Sequence, residues 1–134
     1  MDVILVLEDD AANQAVFSTI LRREGYQVLT AENAQQAFAA CRQQRGGIDL
    51  LIADLQLPDL PGTEAALRIR ESYPHIPILF TSGTPIDCWS DSELREISRL
   101  PDGAYSFLPK PFTCWTLAKM VSRMLARVSF AHSA

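Results

Sequence analysis

Polar side chains suited to chemistry follow four short apolar runs of this 134-residue chain. A carboxylate beside a metal ion can attack phosphorus, a lysine supplies a point charge, and a hydroxyl can bond to a phosphoryl oxygen. Where such runs are strands of one parallel sheet, the residues that follow them meet at the same sheet edge. These residues are Glu8, Asp9 and Asp10, then Asp54, then Thr81 and Ser82, and finally Lys110.

Three consecutive acids, Glu8, Asp9 and Asp10, follow the first apolar run. Carboxylates crowded together repel one another and hold protons unless a divalent cation neutralises them. Their hard oxygens favour Mg²⁺, which would take a few protein oxygens and complete its shell with water and phosphate oxygens. The alternative is that these acids only cap the first helix and meet the positive end of its dipole. The acidic group therefore predicts either a magnesium site or helix capping.

Asp54 ends the apolar run 50–53, so its carboxylate is expected to emerge from the core beside that cation. Phosphoryl transfer depends on in-line positioning and on positive charge near the transferring oxygens. Asp54 is the candidate nucleophile, Lys110 the candidate counter-charge and Ser82 the candidate hydrogen-bond donor. Taken singly, each could be an ordinary turn aspartate, a solvated lysine or a loop hydroxyl. Their combination indicates a site that accepts a phosphoryl group.

The elements that must position these residues alternate along the chain. Apolar runs without alternation predict strands covered on both faces, and apolar residues at helical spacing between them predict helices. Asp10 and Asn33 are expected to cap the first two helices. The pattern predicts an α/β fold, a doubly wound five-stranded parallel sheet with five helices. The predicted strands are 3–7, 26–30, 48–53, 76–81 and 104–108, and the predicted helices are 11–23, one from 34 that ends at Gly46, 64–72, 91–100 and 113–127.

Several residues carry expectations about burial. The last helix is amphipathic, and its apolar stripe, which begins with Trp115 and Leu117, is expected to face the core. Trp89 lies in the segment 83–103, whose structure is the hardest to predict. It is expected to be buried as an anchor of that segment, and the alternative is an exposed contact residue. The cysteines lack metal-ligand spacing and are expected to be reduced thiols, buried or half-buried. They are Cys41, Cys88 and Cys114.

The composition, 48% hydrophobic and 21% charged, is typical of a soluble globular protein. We expect one domain at residues 1–127 and a short tail at 128–134 that is too small for an output domain. A net charge of −4 with scattered basic residues argues against direct nucleic-acid binding. No apolar run is long enough for a membrane span, and no signal peptide precedes the first strand, so a cytoplasmic protein is expected.

Four motifs together resemble the receiver domain of two-component response regulators, over about residues 3–125. They are the strand and acids at 3–10, Asp54-Leu55-Gln56-Leu57-Pro58 with Gly62, Phe80-Thr81-Ser82-Gly83, and Leu108-Pro109-Lys110-Pro111-Phe112. The resemblance implies a flavodoxin-like fold with receiver topology. The long 83–103 segment is similar to that of receivers associated with hybrid histidine kinases, and a stand-alone receiver is the other expectation.

The resemblance also implies roles for the residues of the pocket. The Mg²⁺ ligands would be Glu8, Asp9, Asp54 and the main-chain carbonyl of Gln56. Asp54 would be the phosphoacceptor of a phosphorelay. Lys110 would be aimed into the pocket by a cis peptide bond to Pro111, a state that is rare for X-Pro bonds in general.

A switch and its partners follow from the same resemblance. A histidine kinase or histidine phosphotransfer protein would donate the phosphoryl group, since His75 and His132 are expected to be exposed and not to be donors. Ser82 would then move toward the phosphoryl group, and Phe107 would fill the vacated space. The surface that changes would be the fourth helix, fifth strand and fifth helix, which binds partners and is a possible homodimer face.

Two other functions compete with a phosphorylation-dependent binding module. A metal-dependent phosphatase with an aspartyl nucleophile typically carries a second acid two residues later, where this chain has Gln56. A degenerate receiver could act as a constitutive scaffold, although every pocket residue type is present. We therefore expect no enzyme activity beyond the chain's own phosphorylation and dephosphorylation.

Overall fold

The computed structural model describes residues 1–133, apart from the side-chain surroundings of Ile86 and of residues 128–133. Five parallel strands form one sheet in the order β2-β1-β3-β4-β5, and five α-helices and one short 3-10 helix connect or follow them. The doubly wound α/β prediction is confirmed. The elements are β1 Val3–Leu7, α1 Ala11–Arg23, β2 Gln27–Ala31, α2 Ala34–Gln43, β3 Leu50–Asp54, α3 Gly62–Ser72, β4 Ile78–Ser82, the 3-10 helix Ile86–Cys88, α4 Asp91–Ser98, β5 Tyr105–Pro109 and α5 Cys114–Ser133.

The sheet is covered on both faces, which is why its strands read as continuous apolar runs. On β1, Ile4 and Val6 contribute to the core under α1 and α5, whereas Leu5 and Leu7 contribute to the core under α2, α3 and α4. The same alternation continues through β3 and β4. Two apolar layers therefore fix the sheet, and every strand delivers its last residue to the same edge.

Local signals in the sequence explain several helix ends. Asp10 Oδ1 accepts hydrogen bonds from the N–H groups of Ala12 and Asn13, and Asn33 accepts one from Gln36, so both predicted caps are present. Helix α1 has the predicted bounds. Helix α4 begins with a reciprocal capping box between Ser90 and Glu93, which had not been predicted.

The strands after β1 begin one or two residues later than predicted. Ile48 and Ile76 are 1% and 0% exposed, yet both precede their strands. Burial made these residues part of the apolar runs, but the ladder begins only where the neighbouring strand offers partners. Pro77, which has no N–H, also delays β4.

Helix α5 departs from the prediction at both its surface and its end. Trp115 is 69% exposed, so the prediction that it faces the core is wrong, whereas Leu117 is buried as predicted. The helix continues to Ser133 and takes in most of the segment predicted as a tail, while Ala134 lies outside the described residues. Within residues 1–133, no helix combines the length and hydropathy needed to cross a membrane.

The burial predictions for the three cysteines and for Trp89 are only partly correct. Cys41 is buried, but Cys88 and Cys114 are exposed, so the expectation of burial is wrong for these two. Trp89 is partly buried and packs against the core under α2, α3 and α4. The segment that had been hardest to predict is thus anchored by Trp89, and by Ile97 of α4.

Candidate functional site

The carboxyl ends of four strands converge on one pocket. Glu8 follows β1, Asp54 ends β3, Ser82 ends β4 and Lys110 follows β5. Glu8, Asp54 and Ser82 are 1%, 8% and 7% exposed. The structure therefore brings together, at the edge where parallel α/β sheets bind ligands, the polar groups that the sequence had placed there.

Lys110 connects two of these acids. Its Nζ lies 2.8 Å from Glu8 Oε1 and 3.1 Å from Asp54 Oδ2, and the Lys110–Pro111 peptide bond is cis. Burial disfavours the ammonium charge, but the bonds to Glu8 and Asp54 outweigh it and raise the pKa of Lys110. The lysine is therefore a fixed positive charge that faces the carboxylate of Asp54.

Glu8 is the most deeply buried of the three clustered acids Glu8, Asp9 and Asp54. Burial, together with the neighbouring Asp54, raises the pKa of Glu8 to about 7, although Lys110 acts in the opposite direction. Its Oε2 is buried and has no hydrogen-bond partner among the described residues. A buried carboxylate oxygen without a partner is costly, which indicates a site suited to an additional cation.

The acids form a cluster of metal-ligand geometry. One carboxylate oxygen each from Glu8, Asp9 and Asp54 lies within 4.8 Å of the others. Asp10, by contrast, is outside this cluster and caps α1. Of the two alternatives for the three acids, capping describes Asp10, while the oxygens of the other two fit a hard divalent cation.

The loop after β3 is held close to Asp54. The N–H of Gln56 donates to Asp54 Oδ1 at 3.1 Å, and the side chain of Gln56 is exposed. Gly62 begins α3 directly against the loop, and a Cβ at this position would lie 2.0 Å from the carbonyl oxygen of Asp54. Only glycine fits this close approach, which the sequence indicated solely through the family resemblance.

Ser82 connects the pocket to the following loop. Its Oγ accepts a hydrogen bond from the N–H of Thr84 at 3.0 Å, and the carbonyl of Thr84 accepts one from Trp89 Nε1 at 3.0 Å. The preceding residue, Thr81, points its hydroxyl into the protein, where it has no partner among the described residues. The side chain of Thr84 accepts only a long hydrogen bond, 3.5 Å, from Gln56 Nε2. Its two shorter contacts are made by its backbone, which leaves no signature in residue type, so the sequence did not point to Thr84.

Aromatic side chains line a cavity beside Ser82 and Lys110. Phe107 stacks on Phe80 with ring centroids 5.8 Å apart, and the rings of Phe107 and Trp89 pack edge to face with centroids 5.1 Å apart. The cavity has a volume of about 390 Å³. Phe107, the predicted switch residue, is partly buried and lines this cavity together with Ser82 and Lys110.

Only one of the two histidines, His75, has a side chain that the structure describes. His75 is exposed and pairs with the carbonyl of Gly46 at 2.8 Å, before β4 and thus at the opposite end of the sheet from Asp54. The predicted exposure of His132 lies outside the described side chains. His75 therefore takes no part in the pocket.

Known proteins resemble this chain over nearly its whole length. The family model described as response regulator receiver domain matches residues 4–122. The transcriptional regulatory protein TrcR of Mycobacterium tuberculosis is 31% identical over 94% of this chain and 46% of its own length. The chain thus spans less than half of this relative, and only about a quarter of the regulator NtrC of Rhizobium meliloti.

Solved structures of related proteins have the same fold as this chain. The receiver domain of the hybrid histidine kinase CckA is 31% identical, with a TM-score of 0.75 over 92% of this chain and 98% of that one. The chemotaxis protein CheY4 of Vibrio cholerae is 28% identical, with a TM-score of 0.79 over the same shares. Both comparisons cover almost the complete solved chain, so the likeness extends to the whole fold.

Proposed function

Because this chain belongs to the response regulator receiver domain family, we propose that Asp54 accepts a phosphoryl group in a Mg²⁺-dependent step that alters a partner-binding surface. Receivers of this family are phosphorylated by a partner kinase, and one relative of this chain is the receiver domain of a hybrid histidine kinase, CckA. The observation that carries the proposal is Lys110 Nζ, which lies within 3.1 Å of Asp54 beside the cluster of Glu8, Asp9 and Asp54.

Transfer from a partner's phosphohistidine needs little covalent help from the chain. The phosphorus–nitrogen bond breaks, a bond from an Asp54 carboxylate oxygen to phosphorus forms, and the leaving imidazole takes up a proton. Lys110 holds positive charge where the phosphoryl oxygens arrive, and Ser82 offers its hydroxyl to one of them. Bound Mg²⁺ would supply further charge neutralisation, held by Glu8, Asp9, Asp54 and the Gln56 carbonyl.

The magnesium requirement is tested by Glu8→Gln, with Asp10→Asn as the matched control. Glu8→Gln is expected to lower Mg²⁺ affinity at least tenfold because a buried ligand charge is lost, whereas Asp10 only caps α1. Because protons compete for Glu8, Mg²⁺ affinity in the unmodified chain should rise as the pH increases through about 7 and level off above it. Calorimetric titration measures both effects. Equal Mg²⁺ affinities in Glu8→Gln and Asp10→Asn would show that Glu8 is not a Mg²⁺ ligand.

The signal is proposed to leave the pocket through Ser82 and Trp89. A phosphoryl group on Asp54 attracts the Ser82 hydroxyl, which then releases the N–H of Thr84. The carbonyl of Thr84 holds Trp89, so the indole loosens from Phe107. Phe107 is then free to enter the adjoining cavity, and the face formed by α4, β5 and α5 changes.

This coupling is expected to change Trp89 fluorescence when the chain is phosphorylated. A Trp115→Phe background leaves Trp89 as the sole tryptophan, and Trp115 is 69% exposed, so little stability should be lost. Acetyl phosphate and Mg²⁺ should shift or quench the emission in this background, and adding Asp54→Asn should abolish the effect. Complete phosphorylation by intact mass with unchanged emission would show that Trp89 does not respond.

A further inference from the structure

The end of β2 and the start of α2 form a segment, residues 31–35, that contacts both sides of the acidic pocket. On one side, the N–H of Glu8 donates to the carbonyl of Ala31 at 2.9 Å. Gln14 Nε2 donates to the carbonyl of Glu8 at 2.6 Å and lies 3.3 Å from that of Ala31. The backbone at Glu8 is therefore tied to this segment by two separate links.

On the other side, Asp59 ties the same segment to the loop that follows Asp54. Asp59 Oδ1 accepts from the N–H of Ala34 at 3.0 Å, and Oδ2 accepts from that of Gln35 at 3.2 Å. Oδ1 also accepts from the N–H of Leu60 at 3.0 Å. Slight burial raises the pKa of Asp59, but these backbone bonds outweigh it and hold that pKa below its usual value. The carboxylate is thus charged at neutral pH and positioned at the positive end of α2.

We propose that Asp59 is a positioning residue for phosphoryl transfer, an inference that rests on the proposed function above. Its carboxylate bonds the loop of Gln56 to the segment 31–35, and that segment is bonded in turn to the backbone of Glu8. Through these contacts Asp59 holds the loop that supplies the Gln56 carbonyl in place relative to the strand end that carries Glu8. Asp59 touches none of the reacting atoms and acts through this loop alone.

Capping of α2 does not by itself account for Asp59. The helix already has a cap in Asn33, whose side chain accepts from the N–H of Gln36 at 2.8 Å. Asp59 is exposed, and water can satisfy the N–H groups of an exposed first turn. The carboxylate matters more for the position of the loop than for the helix, because it connects two segments that lie 24 or 25 residues apart in the sequence.

The test compares Asp59→Asn with Asn33→Ala in the full chain. Asp59→Asn keeps the shape but places an amide N–H₂ against a backbone N–H, whereas Asn33→Ala weakens the same helix without touching the loop. Both are expected to lower thermal stability to a similar extent. Only Asp59→Asn should weaken Mg²⁺ binding, by about tenfold, as expected when a group that orients ligands is lost. Only Asp59→Asn should also speed amide hydrogen exchange at residues 55–60 without Mg²⁺.

The outcomes distinguish failure of this inference from failure of the proposed phosphorylation of Asp54. Mg²⁺ affinity and loop exchange that are equal in both variants would show that Asp59 is merely a second cap, and the inference would fail while phosphorylation stood. An unmodified chain that neither binds Mg²⁺ nor takes up a phosphoryl group would overturn the proposed function, and this inference with it. Faster exchange and weaker Mg²⁺ binding confined to Asp59→Asn would establish the positioning role.

Discussion

The Asp54→Asn variant is expected to gain no mass from acetyl phosphate and Mg²⁺, whereas the unmodified chain gains one phosphoryl group. The amide is nearly isosteric with the carboxylate but is a very weak nucleophile, and it carries no charge for Lys110 or for Mg²⁺. Loss of labelling should therefore be complete. Intact mass spectrometry after a fixed incubation measures it directly.

Asp102→Asn is the control for this experiment, because Asp102 is exposed in the turn after α4 and far from the strand ends that form the pocket. It should label like the unmodified chain. Labelling of Asp54→Asn to the same extent would place the acceptor elsewhere. No labelling of the unmodified chain, where a control receiver labels, would favour a constitutive scaffold, and sustained phosphate release from a monoester would favour a phosphatase.

The pocket could be predicted because its residues are delivered by the regular part of the fold. A parallel sheet brings every strand end to one edge, so an acid after β1, Asp54 at the end of β3 and Lys110 after β5 must meet there. Strand type was visible in runs that are apolar on both faces. Residue order alone therefore carried the approximate positions of the charged groups, without any information about distances.

The remaining features depend on contacts that residue type does not encode. Asp59 binds backbone N–H groups of a helix that lies 24 or 25 residues away in the sequence, and Thr84 contacts Ser82 and Trp89 through its own backbone. Neither pattern is visible in the sequence. Trp115 sits in a helical apolar stripe, yet it lies on the solvent face at the first turn of α5, where Lys119 covers its ring at 4.5 Å. Such cases are decided by tertiary geometry and not by periodicity.

The Gly62→Ala variant is expected to lose about 2 kcal/mol of unfolding free energy, a loss typical of overpacking. Its Cβ would lie 2.0 Å from the Asp54 carbonyl oxygen and 2.9 Å from the Cα of Leu55, so the helix start or the loop must shift by more than an ångström. Helix propensity acts in the opposite direction, since alanine in a helix is favoured over glycine by up to about 1 kcal/mol. The steric effect should win because both obstructing groups are backbone, which cannot rotate away.

Gly83→Ala separates this steric effect from the general effect of adding a methyl group, because a Cβ at Gly83 would meet no atom within 4 Å. Urea unfolding should show the midpoint lowered for Gly62→Ala and nearly unchanged for Gly83→Ala. The shift at Gly62 moves the carbonyl of the proposed phosphoacceptor, so Gly62→Ala should also slow phosphoryl uptake at saturating Mg²⁺. If the two variants were equally stable and labelled equally fast, α3 would be free to move away from β3. The close approach of Gly62 would then have no part in holding Asp54 in place.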